Sequence, residues 1–175
     1  MRSKFAEKFI NYLELSKIKI MVPVSLTGFT GYFIFDPHIS VRIILTSLGI
    51  LLLAISASVL NQLQEVDLDS KMNRTHNRPL PAKKISKTST IIFFSFCLIS
   101  GTVIIYFSGN LTSAILGLVT IAWYNGVYTN VKRISALAVI PGSLTGALPP
   151  LIGWTAAGGY IFDPTIIFIC FLIFT

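Results

Sequence analysis

The chain has 175 residues, 53% of them hydrophobic and only 12% charged, with a mean hydropathy of +0.75. A soluble domain carries about 25% charged residues, so this composition excludes one and points to a polytopic membrane protein. The net charge of +7 would suit nucleic acid, but the basic residues lie in loops between apolar runs, as membrane topology requires, and no nucleic-acid partner is expected.

The N-terminal segment is basic and also carries Glu7 and Glu14. It leads into an apolar run followed by further runs, as expected of an uncleaved first span and not of a removed signal peptide. A span needs about 20 mostly apolar residues. Such runs cover 18–35, 41–63, 88–107, 111–128 and 134–156, and a sixth starts near Pro164 and is still apolar at Thr175. The expected fold is all-α, a transmembrane helix bundle of five spans plus the start of a sixth. The 1–175 segment reads as one transmembrane domain, cut from a longer protein.

Lys and Arg alternate by loop. The N-terminal segment has five (Arg2, Lys4, Lys8, Lys17, Lys19), and the second connection has six (Lys71, Arg74, Arg78, Lys83, Lys84, Lys87). The fourth has Lys132 and Arg133, the first has only Arg42 nearby, and the third and fifth have none. Positive charge marks cytoplasmic loops, which places the N-terminus and the second and fourth connections there. Topology needs no acids, however, so Glu65, Asp67 and Asp69 at the end of the second span ask for another explanation.

At about 100° per residue, Asn61, Glu65 and Asp69 drift by only about 80° and form one polar stripe. Asp67 points elsewhere if the helix continues that far. Two carboxylates and an amide oxygen suit Mg²⁺, which takes oxygen ligands and keeps several waters. Asn61, Glu65 and Asp69 are therefore candidate metal ligands, with Asp67 a further one. Arg74 and Arg78 follow at i, i+4 before Pro79, and their forked donors match phosphate oxygens. The fourth connection places Tyr128 and Lys132 at i, i+4, followed by Arg133, and an interfacial aromatic belt is the plain alternative there.

His76 in the polar loop is read as solvated or as a substrate contact, and His38 receives no role. Cys97 and Cys170 lie in apolar runs without a CxxC spacing and read as packing residues. Pro141, Gly142, Gly146, Pro149, Pro150 and Gly153 interrupt the fifth span. Such breaks suit either a helix lining a cavity or close helix packing. Pro23-Val-Ser-Leu-Thr-Gly28 resembles Pro141-Gly-Ser-Leu-Thr-Gly146, so the first and fifth spans read as repeat equivalents. A second polar cluster is then expected beyond Thr175.

Asn61-x-x-x-Glu65-x-x-x-Asp69 resembles the first aspartate-rich motif of the UbiA superfamily of intramembrane prenyltransferases, and Tyr128-x-x-x-Lys132 its tyrosine–lysine motif. Three segments resemble its haem O synthase branch, the protohaem IX farnesyltransferases. These are Asp67-Leu-Asp69-x-x-Met72-x-Arg74-Thr75-x-x-Arg78-Pro79-Leu80, the segment from Gly146 to Trp154, and Tyr12-Leu-Glu14-Leu-Ser-Lys17. Glu65 departs from the usual Asp, and Ile18-Lys19 from the usual Pro-Arg.

The resemblance implies a membrane-embedded, Mg²⁺-dependent transfer of farnesyl from farnesyl diphosphate to a vinyl group of haem b, with haem as substrate, not cofactor. It makes Asp69, Glu65, Tyr128 and Lys132 the expected catalytic residues, and Arg74, Arg78, Lys132 and Arg133 the expected diphosphate ligands. It also implies a multi-pass protein of the prokaryotic inner membrane. Beyond the lipid bilayer, other haem-biosynthesis or oxidase-assembly membrane proteins become candidate partners. Two alternatives stay open: a sister prenyltransferase for an aromatic acid or quinone precursor, and a transporter, since broken helices and charge also mark transport sites.

Overall fold

The structure, a computed structural model, describes residues 4–175; Arg2 of the basic N-terminal count lies outside them. An entry helix α1 (Lys4–Leu15) turns at Lys17 into α2 (Ile18–Phe35). Then come α3 (Val41–Lys71), α4 (Lys87–Ser108) and α5 (Leu111–Ala122), which runs through a π-helix (Trp123–Tyr128) into the short α6 (Thr129–Val131). A 3₁₀ turn (Ala136–Ala138) opens α7 (Val139–Ala156), and α8 (Pro164–Phe174) follows. Among the described residues, five helical segments are long and apolar enough to cross a membrane, and α8 is a shorter apolar helix.

The ends are set by local chemistry. Ser86 and Asn110 accept hydrogen bonds from Ser89 N and Ser113 N and so cap α4 and α5. Asp163 caps α8 just before Pro164, where a missing N–H costs nothing. The longest departure from the expected spans is α3, which continues eight residues past position 63 to Lys71. Its final turns are polar, yet the helix holds there because Asn61, Gln62 and Asp69 are buried against neighbouring elements.

Two aliphatic clusters fill the bundle. One holds Ile50, Leu53, Ile105, Ile121 and Ile152, and the other Leu15, Ile55, Val59, Ile85 and Cys97. Helices α2 and α7 meet through small residues: a Cβ on Gly31 would strike the Pro150 backbone, and one on Gly153 the carbonyl of Gly28. Close approach of this kind is how helices associate without a hydrophobic drive in lipid. The two resembling segments lie on these two helices. Both readings of the interrupted fifth span apply, since α7 packs closely on α2 and also lines a cavity.

The basic connections gather at one end of the bundle. Gln62 Nε2 donates to Leu15 O at 2.6 Å, tying the Lys17 elbow to α3, and Gln64 Nε2 donates to Asn125 O at 3.3 Å, tying α3 to the π-helix. At the opposite end Asn110 Nδ2 donates to Thr155 O, and Phe35 packs edge-on against Trp154. That end carries Asp36 and Asp163 and pairs His38 with Asp36 at 2.7 Å in the open.

Candidate functional site

The unbroken α3 presents Asn61 and Glu65 one turn apart at the basic end, across from α6 and the residues that follow it. Asn61 Nδ2 donates to Glu65 Oε2 at 2.9 Å. The Lys132 ammonium donates to Asn61 Oδ1 and to Glu65 Oε2, both at 3.0 Å. Thr129 Oγ1, fully buried, also donates to Asn61 Oδ1 at 2.9 Å. Arg133 adds its Nε at 3.8 Å from Glu65 Oε1, while its Nη2 donates to Gln64 O at 3.0 Å.

Asp69 lies one turn further on, with its side chain 6% exposed. Arg78 Nη1 donates to both of its oxygens, at 2.9 and 2.7 Å, so its Nε and Nη2 take no part in this pair. Arg78 reaches back because 72–86 is a tight loop: Thr75 Oγ1 donates to Asp69 O at 3.0 Å, and Pro79 O accepts from Lys84 N and Ile85 N. Leu80 and Ile85 bury its inner face.

Two expected residues lie apart from this cluster. α3 does continue, so Asp67 sits about 200° round the helix from Glu65 and lines a separate groove with Ser70, Lys83 and Lys87. The loop also separates the two arginines: Arg78 turns inward, whereas Arg74 is exposed and joins none of the cluster's contacts among the described residues. His76 is exposed, and its Nδ1 lies 3.3 Å from Met72 O.

Tyr128 belongs to the wall because of the π-helix. Its wider turn stacks Tyr124 on Tyr128, with ring centres 5.2 Å apart and 28° between planes, and sets Lys132 Nζ 5.2 Å from the Tyr128 ring centre. Single π-turns inside α-helices recur at functional sites. Below the two rings opens an apolar cavity of about 330 Å³ between α2, α3, α5 and α7, with Met21, Ala54, Ala57 and Gly146 among its lining. Ser58 also lines it, and its buried Oγ has no hydrogen-bond partner. Thr120 and Thr145 instead turn their hydroxyls back to helix carbonyls.

In the sequence Lys17 is a topological charge and the end of the 12–17 segment, with no role at the site, yet it lies close to this cluster. It adopts a left-handed conformation (φ 47°, ψ 43°) at the α1–α2 elbow, which costs a non-glycine residue on the order of 1 kcal/mol. Burial holds its ammonium below the ordinary lysine value, and Arg78 and Lys132 push the same way, against the opposing pull of Asp69 and Glu65. Four cations (Lys17, Arg78, Lys132, Arg133) thus surround two carboxylates, two positive charges in excess. The signals for Thr129 and Tyr124 were present, three residues before Lys132 and four before Tyr128.

Whether these groups suit a divalent metal can be judged from the oxygens. Among the described residues no three His, Cys, Asp or Glu side chains gather in ligating geometry. Mg²⁺ is commonly held by only one or two carboxylates, however, with waters and phosphates completing its shell. Asn61 Oδ1 and Glu65 Oε2 already converge on one cation, the Lys132 ammonium, which stands where a metal would lie. The donor set fits a hard divalent ion.

The chain is thus a membrane bundle with a cation-rich cluster at one helix end, beside an apolar chamber. Residues 24–175 match the UbiA prenyltransferase family, and the chain belongs to it. It is 34% identical over 153 residues to the protoheme IX farnesyltransferase of Nitratidesulfovibrio vulgaris, covering 87% of this chain and 53% of that one. It is 41% identical over 126 residues to that of Geobacter sulfurreducens, covering 72% and 46%. The chain therefore spans about half the length of these curated relatives.

The fold is also similar to that of a digeranylgeranylglyceryl phosphate synthase, with a TM-score of 0.84 at 21% identity, over 96% of this chain and 59% of that one. A UbiA homolog from Archaeoglobus fulgidus, solved bound to DMAPP and Mg²⁺, gives 0.78 at 18% identity, over 94% and 60%.

Proposed function

We propose that the protein carrying this chain transfers the farnesyl group of farnesyl diphosphate to a vinyl group of haem b, making haem O for terminal oxidases. The observation that carries the reading is the excess of two positive charges at the mouth of an apolar chamber. A diphosphate would seat its charge in the cluster and its hydrocarbon tail below. The relatives named protoheme IX farnesyltransferase support the donor and the acceptor.

Lys132 and Arg133, with Arg78 and Lys17, hold the diphosphate oxygens and place fixed positive charge where negative charge develops as the allylic C–O bond breaks. Asn61, Glu65 and Asp69 would hold a Mg²⁺ ion, which would supply Lewis-acid neutralisation of the leaving group. Tyr128 and Tyr124 lie between the cluster and the chamber, beside the carbon that becomes cationic. The apolar walls keep water from that carbon until the vinyl group has attacked it, after which water adds to give the hydroxyethylfarnesyl side chain. Arg74, exposed on the loop, is an entry contact for the diphosphate. Asp67 is left out of the ligand set.

The site end faces the cytoplasm of a prokaryotic inner membrane, as the basic loops argue. Other haem-biosynthesis or oxidase-assembly membrane proteins are natural neighbours. A quinone-precursor prenyltransferase is the second reading, because nothing in the carboxylates discriminates acceptors. Family membership removes the ground for a transporter. Solubilised full-length protein should bind farnesyl diphosphate in a Mg²⁺-dependent way, at least tenfold more weakly after Glu65→Gln. Equal binding without metal contradicts the reading.

A further inference from the structure

The stripe of α3 that carries Asn61 continues downward as the wall of the chamber. With Asn61 as origin and about 100° per residue, Glu65 lies near +40°, Ser58 near +60°, Ala57 near −40°, Ala54 near +20° and Ile50 near −20°. One face therefore reads, from the top, oxygen ligands, a hydroxyl, two alanines, then bulky aliphatics. All of Ile50, Leu53, Ala54, Ala57 and Ser58 line the cavity.

The lower end is rigid. Ile50 and Leu53 are 3% and 4% exposed, within the core that includes Ile105 and Ile121. The two Leu53 methyls lie 2.9 and 2.5 Å from where a Cβ on Gly101 and on Gly117 would stand, so α4 and α5 hold that side chain from both sides. The Ile50 δ-methyl lies 2.5 Å from the same position at Gly28 on α2. A longer guest cannot push this floor aside without moving three helices.

The size of the space bears on the length of a guest. Ile50 sits eleven residues below Asn61, about 16 Å along the helix axis. A dry cavity of about 150 Å³ takes the six carbons of benzene. By that scale the roughly 330 Å³ here takes on the order of thirteen carbons. For the part of the chamber that these helices bound, that is near a fifteen-carbon chain.

We propose that α3 is a ruler for the prenyl donor: Ala54 and Ala57 leave the channel open, and Ile50 with Leu53 closes it at about three isoprene units. The proposal rests on the prenyl diphosphate reading above and assigns the length preference to these residues. Binding of geranyl, farnesyl and geranylgeranyl diphosphates with Mg²⁺ to solubilised full-length protein tests it without any acceptor. Farnesyl should bind most tightly to the unmodified protein. Ile50→Ala should raise geranylgeranyl affinity relative to farnesyl at least tenfold. Ala54→Leu, which fills the channel and leaves the core intact, should lower farnesyl relative to geranyl by a similar factor, and it carries the test if Ile50→Ala does not fold. Ratios within twofold of the unmodified protein in folded variants overturn the ruler and leave the prenyl reading standing. Failure of the unmodified protein to bind any of the three overturns both.

Discussion

Asp69 and Arg78 form the most buried charge pair at the site, and their coupling is specific. Removing one partner of such a pair leaves an uncompensated buried charge, at a cost of about 3–5 kcal/mol. Arg78→Ala should therefore lower thermal stability strongly, and Asp69→Asn should restore part of it in the double variant. A melt series over the four proteins checks this, and strictly additive losses contradict it. Lys17 gives a pH signature. Its folded value lies below the ordinary lysine value, so its charge costs stability at neutral pH, and the cost fades as pH rises toward the ordinary value. Lys17→Met should melt higher than the unmodified protein at pH 7, with a gap that narrows toward pH 10, and should bind diphosphate more weakly. At this scale the Asn61–Glu65–Asp69 stripe was legible because helical spacing alone aligns it. Arg78 and Arg74 parted for a reason that spacing cannot carry, a loop fold decided by the Thr75–Asp69 contact and the burial of Leu80. Lys17 was hidden because a left-handed elbow has no spacing rule.

Among the elements, the π-helix does most to place the site. Its wider turn carries the register shift that stacks Tyr124 on Tyr128 and lets Thr129 and Lys132 reach Asn61. Deleting Gly126 should turn the wide turn into an α-helical one and leave Tyr124 and Tyr128 three residues apart, about 60° out of alignment. Turnover should fall at least a hundredfold while the helical content by circular dichroism stays constant. Gly126→Ala should be harmless, since its new Cβ meets nothing within 4 Å, and should stabilise the segment by up to about 1 kcal/mol. A damaging Gly126→Ala, or an active deletion, would remove the π-helix from the account. The expected span 111–128 located this segment correctly but gave no hint of the π-turn, because its residues are equally at home in an ordinary helix. Apolar length sets each span's position, and polar contacts decided where α3 stopped.

For the whole molecule, alternation of basic loops anticipated that the N-terminus, the 72–86 loop and the residues after α6 share one end. The structure gathers Lys17, Arg78, Lys132 and Arg133 there around the carboxylates. The apolar chamber was not legible in the same way, since its walls come from four helices and apolar residues look alike in sequence. Membranes containing the full-length gene product should be incubated with haem b, farnesyl diphosphate and Mg²⁺, and the haems analysed by mass spectrometry. A farnesylated hydroxyethyl haem that forms only with Mg²⁺ is the predicted result. No haem product in folded protein that prenylates an aromatic acid under the same conditions would contradict it.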